Sequence, residues 1–276
     1  MARVHPLACV APEAVIADDV EIGPYCTIGP QVTLAAGCRL IAHVNVTGNT
    51  QVGERTVIHN FASLGGPPQS LAYAGEATRL EIGADCTIRE GVTMNIGTAA
   101  GGGVTRVGAR GFYMAYAHVG HDCAVGDDVI LAHGAVLGGH CSVGNHVFVG
   151  GLTAVHQRVR IGTGAMLGGS SGLRADLIPF GTVLGVPADL IGLNVVGMKR
   201  RGVGHKERAA VRRAYRALFF GDGVFADRLA RVAAEEGAHP SVAELVDFIR
   251  SGASRPLCHP GRKASPKATP DGDGGA

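Results

Sequence analysis

The chain has 276 residues, a net charge of +2 and 43 glycines, about twice the usual glycine share. The small net charge argues against a nucleic-acid-binding protein, and the longest apolar runs are too short for a membrane span. The N-terminus lacks the apolar core of a signal peptide, so we expect a cytoplasmic protein.

Large apolar residues recur every six positions through most of the first 173 residues. This ladder covers residues 10–64, 82–94 and 107–173, mostly with Val, Ile or Leu. A period of six fits neither a helix nor an alternating strand, but it fits a triangular prism with one short strand per side. We therefore predict an all-β parallel β-helix over residues 1–186, with each turn packed on the next.

Cysteines follow the same repeat rather than a metal or disulfide pattern. The inward small-residue position of a hexad holds five of the seven cysteines: Cys26, Cys38, Cys86, Cys123 and Cys141. At such positions cysteine acts as a small buried apolar residue. The other two, Cys9 and Cys258, lie outside the ladder and carry no motif.

Two interruptions of the ladder predict loops that project from the prism. Residues 65–79 contain Gly-Gly and Pro-Pro but no large apolar residue at the six-residue spacing. We interpret them as a projecting loop that takes the place of one turn of the prism. Residues 95–106 form the second interruption, after which the phase has slipped by one. Loops that leave a rigid scaffold often carry function.

Beyond the ladder, residues 187–253 have the pattern of a helical domain. Amphipathic helices are predicted over 205–220 and 224–236, and a capping box at 241–244 predicts the start of a third. Residues 254–276 are rich in Pro, Gly and charge, so we expect them to be disordered.

Five short motifs make the pattern more specific than hexads alone. They are YAGE at 73–76, GGG at 101–103, AHVGHDC at 117–123, TAVHQ at 153–157 and GMKRRG at 197–202. Together with a left-handed prism and a C-terminal helical domain, they resemble the acyl-carrier-protein:UDP-N-acetylglucosamine O-acyltransferases of lipid A biosynthesis. The resemblance covers about residues 4–250. It implies a homotrimer without a cofactor that transfers a 3-hydroxyacyl chain from acyl carrier protein to the 3-hydroxyl of UDP-N-acetylglucosamine.

The hexads predict which side chains stack at the candidate active site. Because one turn takes about 18 residues and turns lie about 4.8 Å apart, residues 18 apart form columns. One column holds His121, Gly139 and Gln157, and the next holds Asp122, His140 and Arg158. A histidine base beside a backbone N–H suits acyl transfer. The resemblance implies that His121 is the general base and that the N–H of Gly139 binds the oxyanion. Asp122 pairs with His121 if the chain turns a corner there, or with His140 otherwise.

The resemblance also implies a set of substrate-binding residues. Those expected to contact or line the substrate site are His118, His140, His156, Gln157, Asn194 and Arg200. Gly169 matches the position that sets acyl-chain length, where glycine admits a long chain. A three-histidine metal site is disfavoured because the spacing of His118 and His121 does not match the zinc-dependent prisms, so no metal is expected.

Several residues depart from the family pattern and leave alternatives open. Ser70 and Ala72 stand where an Asp and a Lys are common, and Asn95-Ile96 replaces a His-Arg pair. One alternative is an N-acyltransferase that acts on a 3-amino UDP-sugar. Another is a non-catalytic scaffold that binds a partner, although the His121–Gly139 column argues against it.

The stretch between residues 199 and 216 is strongly basic, with eight Lys or Arg residues and one Glu. This charge suits binding of an acidic carrier protein.

Overall fold

The computed structural model describes residues 1–252 and 255–261. Residues 1–193 wind into a triangular prism with three sheets, called A, B and C here. Up to residue 173, neighbouring strands run parallel and pair residues 18 apart in the turns without a loop, as in Ile130↔Phe148 and Val119↔Leu137; in the last turn the spacing is 16, as in Leu167↔Val183. The hexad pattern therefore predicted both the strands and their register.

The strands are short, and each sheet takes every third strand of the chain. Sheet A contains β1 Arg3–Val4, β4 Glu21–Ile22, β7 Arg39–Leu40, β10 Val57–Ile58, β13 Thr87–Ile88, β16 Phe112–Tyr113, β19 Ile130–Leu131, β22 Phe148–Val149, β25 Met166–Leu167, β27 Gly181–Leu184 and the antiparallel β28 Asp189–Leu193. Sheet B contains β2 Cys9–Val10, β5 Thr27–Ile28, β8 Asn45–Val46, β11 Ser63–Gly66, β14 Thr93–Asn95, β17 His118–Val119, β20 Val136–Leu137, β23 Ala154–Val155 and β26 Gly172–Leu173. Sheet C contains β3 Val15–Ile16, β6 Val32–Leu34, β9 Asn49–Val52, β12 Arg79–Ile82, β15 Val104–Val107, β18 Ala124–Val125, β21 Ser142–Val143 and β24 Arg160–Ile161.

The second residue of most strands points into the prism and forms its core. Leu64, Leu131 and Leu137 have no exposed surface, and the five cysteines of the ladder are at most 1% exposed. The prediction that these cysteines are buried core residues is confirmed. Stacking of one apolar residue on the next gives the prism a continuous core of mostly Val, Ile and Leu, with Tyr113 as its largest fully buried side chain.

Both predicted loops are present, but the first is shorter than expected. Thr50 pairs with Leu80, thirty residues on instead of eighteen, so the first loop inserts twelve residues and not a full turn. Leu80 pairs with Thr105, twenty-five residues on, so the second loop inserts seven residues, which is one hexad and the predicted slip of one. A short 3-10 helix, Ala99–Gly101, lies in the second loop.

Four helices follow the prism: α1 Val195–Arg200, α2 His205–Phe220, α3 Phe225–Glu236 and α4 Pro240–Arg250. The prediction for α2 is confirmed, and α3 begins one residue later than predicted. The predicted capping box is wrong, because α4 begins at Pro240 and the N–H of Ser241 donates to the carboxylate of Glu207 in α2 at 3.2 Å. Strand β28 also shows that the sheet continues to Leu193, beyond the predicted start of the helical part at residue 187.

The expectation of disorder from residue 254 onwards is wrong for residues 255–261. Leu257 bridges to Asp176, and the N–H of Cys258 donates to the carbonyl of Asp176 at 2.8 Å. Cys258 is only 3% exposed. Residues 262–276 lie outside the described residues. None of the described helices is both long and apolar enough to cross a membrane.

Candidate active site

The predicted columns lie where the chain passes from sheet B to sheet C. This corner, called corner BC here, comprises residues 120–123, 138–141 and 156–159 in three successive turns. The N–H of His140 donates to the carbonyl of His121 at 2.8 Å, and the N–H of Arg158 donates to that of Gly139 at 3.0 Å. The three turns therefore stack in the predicted register.

His121 and Asp122 form a hydrogen-bonded pair. Asp122 adopts a left-handed backbone conformation with φ of 59°, which turns its side chain back towards its neighbour. Its Oδ2 lies 2.7 Å from Nδ1 of His121 and 3.7 Å from Nε2 of His140. Both partners considered for Asp122 are therefore adjacent to it, and His121 is the hydrogen-bonded one.

The second loop holds the Asp122 carboxylate, which sequence reasoning missed. Thr98 donates its N–H to Oδ1 and its hydroxyl to Oδ2, both at 2.7 Å. Thr105 accepts a hydrogen bond from the Asp122 N–H at 2.8 Å. No motif marks these threonines, because only the packing of the loop on the corner brings them to Asp122.

Electrostatics at this corner favour an ionised Asp122 and the neutral forms of His118 and His140. Burial alone raises the pKa of the Asp122 carboxyl, but the hydrogen bonds from His121 and Thr98 outweigh it and leave the pKa below its usual value. Burial lowers the pKa of His140 and of His118. An ionised carboxylate at Nδ1 of His121 leaves Nε2 as the position that can accept a proton.

Gly139 lies directly against the ring of His121. A Cβ at residue 139 would be only 2.6 Å from Nε2 of His121, so glycine is required for this close approach. Within the described part of the chain, the N–H of Gly139 donates to no acceptor. Among the described residues, Nε2 of His121 has no hydrogen-bond partner, and it lies against the backbone of Gly139, whose N–H also has no acceptor.

His156 and Gln157 belong to corner BC, and His118 lies beside it in β17 of sheet B. His118 lies on the outer face of sheet B, where its Nδ1 is 2.7 Å from the hydroxyl of Thr93. His156 and Gln157 are exposed one turn above Gly139. The structure thus brings these three together with His121, Asp122, Gly139 and His140.

Asn194 and Arg200 lie elsewhere, on a cleft of about 780 Å³ beside sheet A. Asn194 caps α1 by accepting from the N–H of Gly197 at 2.9 Å and donates to the carbonyl of Gly164 at 3.0 Å. Arg201, next to Arg200, has a buried Nη2 without a partner among the described residues, and burial lowers its pKa. This cleft adjoins the corner between sheets C and A, about one prism side from His121.

Gly169 lies at a third corner, between sheets A and B. A Cβ at this position would meet only Gly151, at 3.4 Å, so a side chain here would point outwards without a clash. The outer face of sheet B between this corner and His121 carries small or apolar residues, including Val136, Ala154 and Gly172. That face offers an apolar surface leading from His121 towards Gly169.

The departures from the family pattern cluster at the first loop and its support. Asn95 is 7% exposed, and its side-chain amide donates to the carbonyl of Pro67 at 2.9 Å. Its Oδ1 is buried and has no partner among the described residues. Ile96 is 6% exposed and belongs to the core, while Ser70 and Ala72 lie in the loop itself.

One group in the described ranges combines three metal-ligating side chains. His121, Asp122 and His140 have ligand atoms within 4.8 Å of one another. Both carboxylate oxygens already accept hydrogen bonds from Thr98 or His121, as expected of a carboxylate that orients a histidine.

A stacked-hexad prism with a His–Asp pair beside an unoccupied backbone N–H defines the class of hexapeptide-repeat acyltransferases. The family model for domain 2 of UDP-N-acetylglucosamine O-acyltransferase matches residues 176–258. The acyl-[acyl-carrier-protein]–UDP-N-acetylglucosamine O-acyltransferase of Caulobacter vibrioides is 53% identical over 94% of this chain and 99% of its own. The chain belongs to this family of O-acyltransferases.

Solved structures of relatives agree. The UDP-N-acetylglucosamine O-acyltransferase of Moraxella catarrhalis superposes with a TM-score of 0.89 at 38% identity, covering 93% of this chain and 99% of its own. The Bacteroides fragilis acyltransferase gives a TM-score of 0.90 at 31% identity, covering 93% and 100%. The predicted fold, a left-handed parallel β-helix with C-terminal helices, is confirmed, and so is the predicted acyltransferase class.

Proposed function

We propose that the protein transfers a 3-hydroxyacyl chain from acyl carrier protein to the 3-hydroxyl of UDP-N-acetylglucosamine, the first step of lipid A biosynthesis. The names of its relatives support these substrates. The observation that carries the mechanism is the contact between the His121 ring and Gly139, whose N–H donates to no acceptor among the described residues.

The reaction needs a base and an oxyanion site, and this corner supplies both. Nε2 of His121 takes the proton of the sugar hydroxyl as its oxygen attacks the thioester carbonyl. The N–H of Gly139 donates to the oxygen that becomes negative in the tetrahedral intermediate. Collapse breaks the C–S bond, and the proton on His121 passes to the departing thiolate. Asp122 stabilises the imidazolium through its bond to Nδ1.

The sheet A cleft suits the nucleotide diphosphate. Arg200 and Arg201 line it, and a guanidinium is a strong donor to phosphate oxygens. Asn194 anchors the helix that carries both arginines.

Because the cleft and corner BC lie on different sides of one chain, a complete site requires two copies. Corner BC of one copy then meets the cleft of the next, and the prisms associate as a homotrimer. The outer faces level with the candidate site support this arrangement: Phe148 and Met166 on sheet A and Val136 on sheet B are apolar, and the ion pairs of sheet A, Arg3–Glu21 and Arg39–Glu21, lie in the first three turns. The corner between sheets A and B would then face the three-fold axis.

The carrier protein is expected to bind the basic surface of α1 and α2. The structure uses part of the basic set internally, since Arg213 pairs with Glu236 and Arg208 donates to the carbonyl of Val203. Arg200, Lys206 and Arg216 remain exposed. Acidic carrier proteins would be steered by these three charges. Cytoplasmic action, expected from the sequence, stays a prediction.

The test is a product assay with purified protein. We would incubate it with 3-hydroxyacyl carrier protein and UDP-N-acetylglucosamine and measure the product mass. The expected product gains one hydroxyacyl group and loses it in mild base, as an ester does. No product with any 3-hydroxyacyl chain length would contradict the proposal.

A second candidate is amide formation on a 3-amino UDP-sugar. One observation favours it: Ser70, Ala72, Asn95 and Ile96, which depart from the family pattern, all lie in the first loop or its support. The two candidates are separated in the same assay, because an amide product survives mild base. If kcat/KM is higher for the 3-amino UDP-sugar than for UDP-N-acetylglucosamine, the protein is an N-acyltransferase and the first candidate is wrong.

A further inference from the structure

The segment of residues 255–261 returns from the helical domain to the prism beside corner BC. Its backbone is fixed by two hydrogen bonds to Asp176: the Asp176 N–H donates to the carbonyl of Pro256, and the Cys258 N–H donates to the carbonyl of Asp176, both at 2.8 Å. Asp176 lies one turn above Arg160, whose N–H donates to the Asp176 carboxylate at 2.9 Å, so this anchor adjoins the sheet C end of corner BC. Leu257 also forms a β-bridge with Asp176.

This anchor places the guanidinium of Arg255 on two candidate substrate-binding residues. Its Nε donates to the carbonyl of Gln157 at 3.2 Å, and its Nη2 lies 2.8 Å from Nδ1 of His156. Arg255 is almost a hundred residues away from both in the sequence, and no sequence motif links them.

The contact determines where His156 carries its proton. A guanidinium has only donors, so Nδ1 of His156 must accept, and a neutral imidazole that accepts at Nδ1 carries its proton at Nε2. Nδ1 also lies 3.2 Å from the carbonyl of Gln157, but Arg255 already donates to that carbonyl. The short contact to Arg255 therefore favours the Nε2–H form over a bond from Nδ1 to Gln157.

We infer that Arg255 is a positioning residue of the acyltransferase site, which holds His156 as an Nε2–H donor and fixes the turn that carries Gln157. A ring donor at this place suits an acceptor oxygen of the substrate, such as an amide carbonyl or a phosphate oxygen. Through this residue the C-terminal segment becomes part of the site. The inference rests on the proposed function.

The first test is the ring tautomer, which does not depend on turnover. In protein labelled with ¹⁵N-histidine, the His156 signals, assigned with His156→Gln and recorded on the neutral ring, should show the proton on Nε2 and none on Nδ1. Arg255→Ala should move these signals towards a mixture of tautomers. A wild-type His156 protonated at Nδ1 would overturn the inference, whatever the activity.

The second test is kinetic, with Arg250→Ala as the matched control. Arg250 is an exposed arginine at the end of α4, so its loss removes the same charge near the same segment. Loss of one hydrogen-bonded positioning contact should raise KM by roughly three- to tenfold in Arg255→Ala, with kcat changed less than about twofold. Arg255→Lys should recover part of the loss, since a lysine keeps one donor but not the paired geometry.

The outcomes separate this inference from the proposed function. Wild-type KM in Arg255→Ala together with an unchanged His156 spectrum would refute the role of Arg255 while leaving acyl transfer intact. If the wild-type protein does not transfer acyl chains, the proposed function fails and the tautomer measurement still decides the structural half of the inference. If Arg255→Ala unfolds, Arg255→Gln and the wild-type spectrum decide instead.

Discussion

Replacing Asp122 with Asn should separate the orientation of His121 from the presence of its ring. In the wild-type protein, Oδ1 accepts from the N–H of Thr98, and Oδ2 accepts from the Thr98 hydroxyl and from Nδ1 of His121. Asparagine can keep Oδ1 in place, but an NH₂ group replaces Oδ2 and donates instead of accepting. His121 must then accept at Nδ1 and carry its proton at Nε2, where it can no longer act as a base.

The expected loss in kcat is about 10²- to 10⁴-fold, the range of general-base catalysis, with a small change in KM. Stability should also fall. The lowered pKa of the Asp122 carboxyl means that its ionised form stabilises the fold above the usual carboxyl pKa, and that this stabilisation is lost as the pH falls through the lowered value. Asp122→Asn should therefore be destabilised by about 1–3 kcal/mol at pH 7, with a smaller difference at about pH 3.

Asp85→Asn is the matched control. Asp85 has the same φ of 59° at another corner, and its carboxylate pairs with the exposed Arg55 at 2.6 Å. Because this pair is exposed to solvent, it contributes little to stability, and this variant should keep wild-type kcat. The assay is steady-state acyl transfer with thermal unfolding at both pH values. If Asp122→Asn retained more than about half of wild-type kcat, Asp122 would not orient the base.

Three other predictions follow from the same geometry. Gly139→Ala places a Cβ 2.6 Å from Nε2 of His121, so turnover should fall at least about a hundredfold while circular dichroism stays unchanged; near-normal turnover would contradict this contact. Gly169→Met should shift kcat/KM towards shorter acyl donors, because the side chain points outwards from its corner; an unchanged chain-length profile would leave the glycine as a turn residue only. Apparent affinity for the carrier protein should fall steeply as the salt concentration rises, and the double variant Lys206→Glu, Arg216→Glu should show the same loss at low salt. An affinity that does not depend on salt would mean that the carrier protein binds another surface.

Most of the fold could be predicted from the sequence because the hexad repeat records burial directly. Each rung must face inwards, so a residue such as Leu137 fixes the strand, the corner and the register at once. The length of the first loop could not be predicted in the same way. The six-residue repeat shows where strand pairing stops and resumes, but not which strand the next one pairs with. The capping box at Ser241 failed because Glu207, from another helix, supplies the acceptor that caps α4.

The candidate site was predictable only where it follows the repeat. His121 and Gly139 lie 18 residues apart in one column, so their contact could be expected from spacing. Thr98 and Arg255 reach the same corner from a loop and from the C-terminal segment, and no periodicity connects them to it. Arg255 also lies in a stretch rich in Pro and Gly, whose composition predicted disorder.

The most direct test of a site shared between two copies is complementation between two inactive variants. His121→Ala lacks the base, and Arg200→Glu repels the nucleotide diphosphate, so each should be inactive as a pure trimer. When both are co-expressed in equal amounts, a site is intact if His121 comes from one copy and Arg200 from the next, which is true of about one quarter of sites under random mixing. We predict that the mixture recovers about a quarter of wild-type turnover. If mixed trimers stay inactive, the site is not shared between two copies, and Arg200 and His121 must act within one chain.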